Sequence, residues 1–171
     1  NIKIKNEADI KLLRESGKRL SAVLTAVSKE VKPGVTTGYL NDFVYKMITD
    51  MGDVPAFLNY KPFGADYPYP GSICISVNDE VVHGIGGDRV LKEGDIVGLD
   101  GGVKHKNMIS DSARTVAVGK VSEEDEKLMQ VTKEALMAGI KAAKCGNYVN
   151  DISKAIEKAI DELRGGESVN D

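Results

Sequence analysis

The sequence predicts an α+β fold in which helix pairs accompany an antiparallel sheet. Three observations carry that expectation: two amphipathic helix pairs, a strand hairpin between them, and recurrence of the helix-pair pattern after 112 residues.

The first pair opens with Lys5 to about Glu30, where Ile10, Leu13, Gly17, Leu20, Leu24, Val27 and Val31 share one helical stripe. Lys32-Pro33-Gly34 stops it, and Thr36-Thr37 caps a second helix to about Asp50 with Leu40, Phe43, Val44, Met47 and Ile48 inward. A Pro, Gly and Tyr-rich loop from Pro55 to Gly71 leads to a strand, Ile73–Val77. Asn78-Asp79 reads as a turn, Glu80–His83 as extended chain, Gly84–Asp88 as a loop and Leu91–Asp95 as another turn. Ser122 caps a helix to about Lys144, and a last helix covers about Val149–Leu163.

The hairpin is the centre of the chain. Asp95–Val103 and Ile109–Val118 flank the polar tetrapeptide Lys104-His105-Lys106-Asn107, read as the connecting loop. With Val103 facing Met108, Asp100 stands directly opposite Asp111, their Cβ atoms roughly 4.5–5.5 Å apart. Like charges so placed destabilise a sheet, and Leu99, Val103 and Ile109 screen them poorly. Either one carboxyl is protonated, or a cation lies between them, or the strands end earlier and both aspartates are solvated. Two hard oxygen donors suit divalent metals.

The repeat lays Val23, Leu24, Val27, Val31, Lys32 and Gly34 on Ala135, Leu136, Gly139, Ala143, Lys144 and Gly146, and continues from Leu40, Phe43, Val44, Met47 and Ile48 onto Ile152, Ala155, Ile156, Ala159 and Ile160. A helix-KPG-helix unit returns as helix-KCG-helix. The reading is one domain over 1–171, with a first repeat over 1–121 and the start of a second over 122–171.

Composition narrows the function classes. A length of 171 residues with 42% hydrophobic content suits one globular domain. The net charge of −3 without a basic run gives no footprint for DNA or an anionic membrane. No apolar run approaches the ~18 residues of a span, and no signal-peptide segment opens the chain, so a cytoplasmic protein is expected. Cys74 and Cys145 are far apart and read as reduced thiols.

Other candidates have plain readings beside functional ones. His83 is either a satisfied loop histidine or a site residue, and Cys74 is a strand residue that ordinary core packing would explain. His105, between lysines, reads as a solvated turn residue. Gly84–Gly87 lacks the Lys-Ser/Thr and the helix of a phosphate loop.

Val31-Lys32-Pro33-Gly34-Val35-Thr36-Thr37, the run Tyr69-Pro70-Gly71-Ser72-Ile73-Cys74-Ile75-Ser76-Val77-Asn78-Asp79-Glu80-Val81-Val82-His83-Gly84-Ile85, and Leu91-Lys92-Glu93-Gly94-Asp95-Ile96-Val97-Gly98-Leu99-Asp100 with Asp111 eleven residues on together resemble the type I methionine aminopeptidases. The resemblance implies the pita-bread fold, two pseudo-symmetric halves of helix pair plus antiparallel sheet, and removal of initiator methionine using two divalent ions (cobalt, manganese, iron, zinc or nickel). It implies Asp100 and Asp111 as metal ligands, His83 as the catalytic-site histidine that contacts substrate, and Tyr69 and Cys74 as linings of the methionine pocket. Implied partners are the N-terminal methionine of nascent polypeptides and the ribosome, and the family implies a monomer.

Departures accompany it. The family's further ligands, a histidine and two glutamates, one of them the general base, come from a second half-sheet that would begin about where this sequence stops at Asp171. Gly101-Gly102 follows Asp100 where bulkier residues are common, and Cys145 replaces a proline in the second turn. These features lead to the expectation that the 171-residue chain is inactive alone. The alternatives are a non-catalytic polypeptide-binding module of the same fold and a relative of the proline peptidases and creatinase.

Overall fold

In the computed structural model, which describes residues 4–163, α1 (Glu7–Glu30) starts at a capping box. The Asn6 side chain accepts from Asp9 N–H, and the Asp9 carboxylate accepts from Asn6 N–H. Thr36 caps α2 (Thr37–Asp50) by accepting from Tyr39 N–H. Between them Gly34 takes φ 87°, the left-handed conformation that ends a helix cheaply only in glycine. The inward faces of the pair bury Leu20, Val23, Leu24, Val27, Leu40, Val44 and Ile48.

These helices cover one face of a four-stranded antiparallel sheet: β1 (Val54–Pro55), β2 (Ile73–Val77), β3 (Ile96–His105) and β4 (Met108–Ala117). β4 runs along one edge of β3, and β1 and β2 share the other edge in succession. Alternation along β3 sorts the faces. Val97, Leu99, Gly101, Val103 and His105 are buried toward α1 and α2, and Gly98, Asp100, Gly102 and Lys104 point the other way. Ser16 of α1 fastens the helix side, donating to Val103 O at 3.1 Å and sharing a 2.8 Å hydrogen bond with Ser110 Oγ.

Five expectations are corrected here. The hairpin loop has two residues, Lys106-Asn107, because His105 pairs with Met108 as the last rung of the ladder. Lys106 takes φ 54°, the positive value that the tight hairpin turns require at their first position. In consequence Asp100 lies opposite Ala113 and Asp111 opposite Gly102, so the two aspartates are diagonal neighbours. His105 is not solvated: it is 8% exposed, and its Nδ1 is 2.7 Å from Oδ1 of Asp53, which also receives Arg19 on Oδ2 at 3.1 Å. That partner, 52 residues upstream, is what draws His105 out of the turn and into the sheet. Glu80–His83 is not strand but irregular chain, with His83 at φ 60°. Conversely, β1 forms inside the stretch read wholly as loop, and Pro55 is tolerated there because β1 is a two-residue edge strand.

The chain divides into two compact units between Val121 and Ser122. In the second, Ser122 caps α3 (Glu123–Ala142) by accepting from Asp125 N–H, and α4 (Val149–Leu163) packs on α3. Gly139 makes that contact close, since a Cβ there would meet Ile156 at 2.9 Å. Ile152, Ala155, Ile156, Ala159 and Ile160, the repeated apolar positions, form the half-buried stripe of α4. Helix boundaries repeat with the motif: Glu30 and Ala142 end α1 and α3, Thr37 and Val149 begin α2 and α4, and Gly146 takes φ 91° as Gly34 does. Burial does not repeat fully, because Leu24 is 1% exposed and Leu136 is 52% exposed. Asp171, where a second sheet was expected to begin, lies outside the described residues.

The face assignment predicts opposite fates for adjacent glycines. A Cβ at Gly101 meets Ile73 and Leu20 at an ordinary 3.6 Å, but one at Gly102 meets Phe57 at 2.9 Å and Ala56 at 3.0 Å. Gly102→Ala should cost about 1–3 kcal/mol and Gly101→Ala less than about 0.5 kcal/mol in urea unfolding; equal losses would refute the assignment. Asp53→Ala strips a buried partner from His105 and should cost about 3–5 kcal/mol. Asp50→Ala removes only the exposed Lys46 pair and should leave the unfolding midpoint nearly unchanged.

Candidate functional site

Because a strand's side chains alternate, the pairings Cys74↔Asp100 and Gly102↔Asp111 put Cys74, Asp100 and Asp111 on one face of the sheet, the face turned away from α1 and α2. As diagonal neighbours the two aspartates have Cβ atoms somewhat under roughly 7–8 Å apart, still within reach of their carboxyl groups. Asp100 is half-buried and Asp111 exposed. Burial, then the charge of Asp111 and a hydrogen bond with it, push the Asp100 carboxyl above the ordinary carboxylate range. His83 pulls in the opposite direction, which places its imidazole in the field of Asp100.

Tyr69 and Cys74 form a less polar wall beside this pair. The Tyr69 hydroxyl is directed at Gly84 O, 2.9 Å away, and at Ile73 O, 3.2 Å away. Its acidity is suppressed by burial first, then by the neighbouring Cys74 and the charge of Asp100. Burial likewise pushes the Cys74 thiol up, with Asp100 and Asp111 adding to the effect and the bond to Tyr69 opposing it. Of the five residues singled out from the sequence, the strand pairings put Cys74, Asp100 and Asp111 on one face, Tyr69 lies against Cys74, and His83 acts on Asp100 through its charge.

Gly102 lets a loop close over part of this face. Gly102 has Phe57 and Ala56 where a side chain would stand, so the loop before β2 lies directly over the strand next to Asp111. Residues not anticipated from the sequence are Phe57, Ser76 and Glu80. Ser76 shares the face with Cys74 and its Oγ accepts from Gly84 N–H at 3.1 Å. Only the position of Ser76, two residues after Cys74 in a strand, would have put it on this face beforehand.

The donor set fits the chemistry of a hard divalent cation at its start. Two carboxylates on one face, one of them resisting ionisation because of burial first and then because of the other, are an arrangement that a cation relieves. Among the described residues no group of three His, Cys, Asp or Glu converges to hold a metal, so Asp100 and Asp111 contribute part of a coordination sphere. No helix of the described residues is long and apolar enough to cross a membrane.

Known proteins share the sequence and the fold of this chain. The model of metallopeptidase family M24 matches residues 11–169. The methionine aminopeptidase of Aquifex aeolicus is 42% identical over 162 residues, covering 94% of this chain and 63% of the relative. That of Clostridium perfringens is 41% identical over 158 residues, covering 92% and 61%. The crystal structure of methionine aminopeptidase from Rickettsia prowazekii superposes with a TM-score of 0.89 at 39% identity, covering 95% of this chain and 63% of that one. An Xaa-Pro dipeptidase from Bacillus anthracis shares the fold alone, at a TM-score of 0.80 and 23% identity. The chain thus spans about three fifths of the length of the methionine aminopeptidases it matches.

The burial difference between the two thiols gives a direct check of the wall. Cys74 is 4% exposed with its thiol pushed up, whereas Cys145 is exposed in the α3–α4 turn. Native protein treated with a thiol reagent at neutral pH should label at Cys145 alone, with Cys74 reacting only on unfolding. Comparable labelling of both by mass spectrometry would contradict the packing of Tyr69 on Cys74.

Proposed function

Because this chain belongs to metallopeptidase family M24 and carries its pita-bread fold, we propose that it serves a methionine aminopeptidase, which hydrolyses the peptide bond after the initiator methionine of new polypeptides. The observation that carries the reading is the sheet face shared by Cys74, Asp100 and Asp111, with Tyr69 against Cys74.

In this reading Asp100 and Asp111 hold divalent metal, whose chemistry when bound is that of a Lewis acid toward the scissile carbonyl. The chain's own residues do the rest of what is assigned here. Tyr69 and Cys74 present an apolar, polarisable wall suited to an unbranched thioether side chain, and the Tyr69 hydroxyl, already directed at backbone carbonyls, does not compete for substrate. His83, exposed at the rim, offers an imidazole to the peptide group of the bound N-terminus. With only two ligands and no general base assigned among them, the described residues supply part of the machinery for turnover. The cytoplasm, where initiator methionine is exposed as chains leave the ribosome, is the compartment this activity requires, and a monomer suffices for it. Greater identity to methionine aminopeptidases than to Xaa-Pro peptidases favours methionine over proline chemistry.

The test compares two proteins. The product of the whole reading frame, supplied with manganese or cobalt, should release methionine from Met-Ala-Ser and not cleave an Xaa-Pro peptide. Asp100→Asn and Asp111→Asn should each lower release at least about 10²-fold and weaken metal binding in calorimetry. The isolated 171-residue chain should release none. Activity that survives chelator, or that both aspartate variants retain, would exclude this function.

A further inference from the structure

His83 stands at φ 60°, a left-handed conformation that costs a non-glycine residue about 1–2 kcal/mol and persists only where its surroundings impose it. The residues before it, Val81 and Val82, are 89% and 63% exposed and cannot impose anything. The constraint comes from the far side, at Gly84. Gly84 O accepts from Ile75 N–H at 2.8 Å and is approached by the Tyr69 hydroxyl at 2.9 Å, and Gly84 N–H donates to Ser76 Oγ at 3.1 Å. No side chain fits there, since a Cβ would stand 2.2 Å from Ile75 O.

The remaining wall is Glu80. Its Oε2 would be 2.9 Å from that Cβ, so the carboxylate closes the slot in which Gly84 lies. Both oxygens are held: Oε2 accepts from Val77 N–H at 2.9 Å, and Oε1 accepts from the Arg89 guanidinium at 2.6 Å. Val77 ends β2, and Arg89 lies beyond the glycine loop whose backbone bonds to α2, with Arg89 O accepting from Thr37 N–H. The carboxylate therefore joins both ends of the segment that carries His83. An acidic side chain with 41% of its surface exposed would ordinarily be solvated; here each oxygen has a fixed partner.

We propose that Glu80 is the positioning residue of this site: held by Val77 N–H and Arg89, its carboxylate closes the Gly84 slot and so fixes the left-handed backbone of His83 that sets the direction of the imidazole. The substrate role of His83 comes from the function proposed above, and the inference rests on that reading. Glu80 touches neither substrate nor metal in it. Arg89 acts one step further out, by fixing the orientation of the carboxylate.

The test has two arms so that the two readings fail separately. On the 171-residue chain, Glu80→Ala should accelerate amide exchange at Ile75 and Gly84 about tenfold and move the backbone chemical shifts of His83 out of the left-handed range. Glu80→Gln, which keeps an acceptor for Val77 N–H, should fall between Glu80→Ala and the unaltered chain, and Arg89→Lys should retain most of the order. On the protein expressed from its whole reading frame, Glu80→Ala should raise KM for a methionyl peptide about three- to tenfold with kcat little changed. Combined with His83→Ala it should add no further loss, because it acts through that side chain.

Glu80→Ala that leaves the His83 shifts in place, or that adds its full effect to His83→Ala, overturns the proposal. Should Glu80→Ala fold poorly, Glu80→Gln and Arg89→Lys give the same reading through the His83 shifts. If the unaltered whole protein releases no methionine, the proposed function falls, and the His83 shifts in the first arm still decide the role of Glu80.

Discussion

Two carboxylates on one face of a sheet, Asp100 and Asp111, are the constraint to which the rest of the first unit answers. Asp100 and Asp111 repel each other, and burial of Asp100 sharpens the repulsion. Something must hold them there against it, and the opposite face of the same strands does. Val97, Leu99 and Val103 of β3 are fully buried against Leu20, Val23, Leu24, Leu40 and Val44. A one-residue slip of β3 would turn this apolar row outward and bury Asp100 and Lys104, which is far costlier than the carboxylate repulsion. Register is therefore imposed from the helix side and imposed on the site.

The polar fastenings follow the same division. Ser16, Asp53, His105 and Ser110 bond to one another or to the strands on the helix side, where water is excluded and each needs a partner. On the site side, the glycines do the equivalent work by leaving room. Gly102 admits Phe57 over β3, and Gly84 admits the backbone of β2 and the Glu80 carboxylate. A site in which loops must approach strands this closely is built from absent side chains as much as from present ones.

How far this could be read from the sequence depends on the range of the interaction involved. The helices were legible to within a few residues because their signals are local: Thr36 and Ser122 at the caps, Gly34 and Gly146 at the breaks. The register was misplaced because the deciding contact, Asp53 with His105, spans 52 residues. A polar His-Lys-Asn run gives no local reason to assign its histidine to the core. The error amounted to two residues of register, and a shift of two preserves the face of every side chain, so Asp100 and Asp111 still meet. A shift of one would have parted them. The positive φ of His83 and the role of Glu80 were not legible, because both arise from Gly84 being held by Ile75, Ser76 and Tyr69.

The repeat shows how much of a fold a pattern of helix boundaries can encode and where it stops. Both helix pairs break at the same relative positions and turn through a left-handed glycine, so the recurring Lys-x-Gly does specify a chain path. It does not specify burial. In the first unit α1 and α2 pack on a sheet and share its core; in the second, the described residues of α3 and α4 have each other, joined closely at Gly139 against Ile152 and Ile156. A helix pair alone can bury only the stripe between its members, which leaves Leu136 half exposed where its counterpart Leu24 is sealed against strands. Equivalent positions in a repeat thus share backbone geometry by virtue of local sequence, and share burial only as far as each copy has a sheet to lie on.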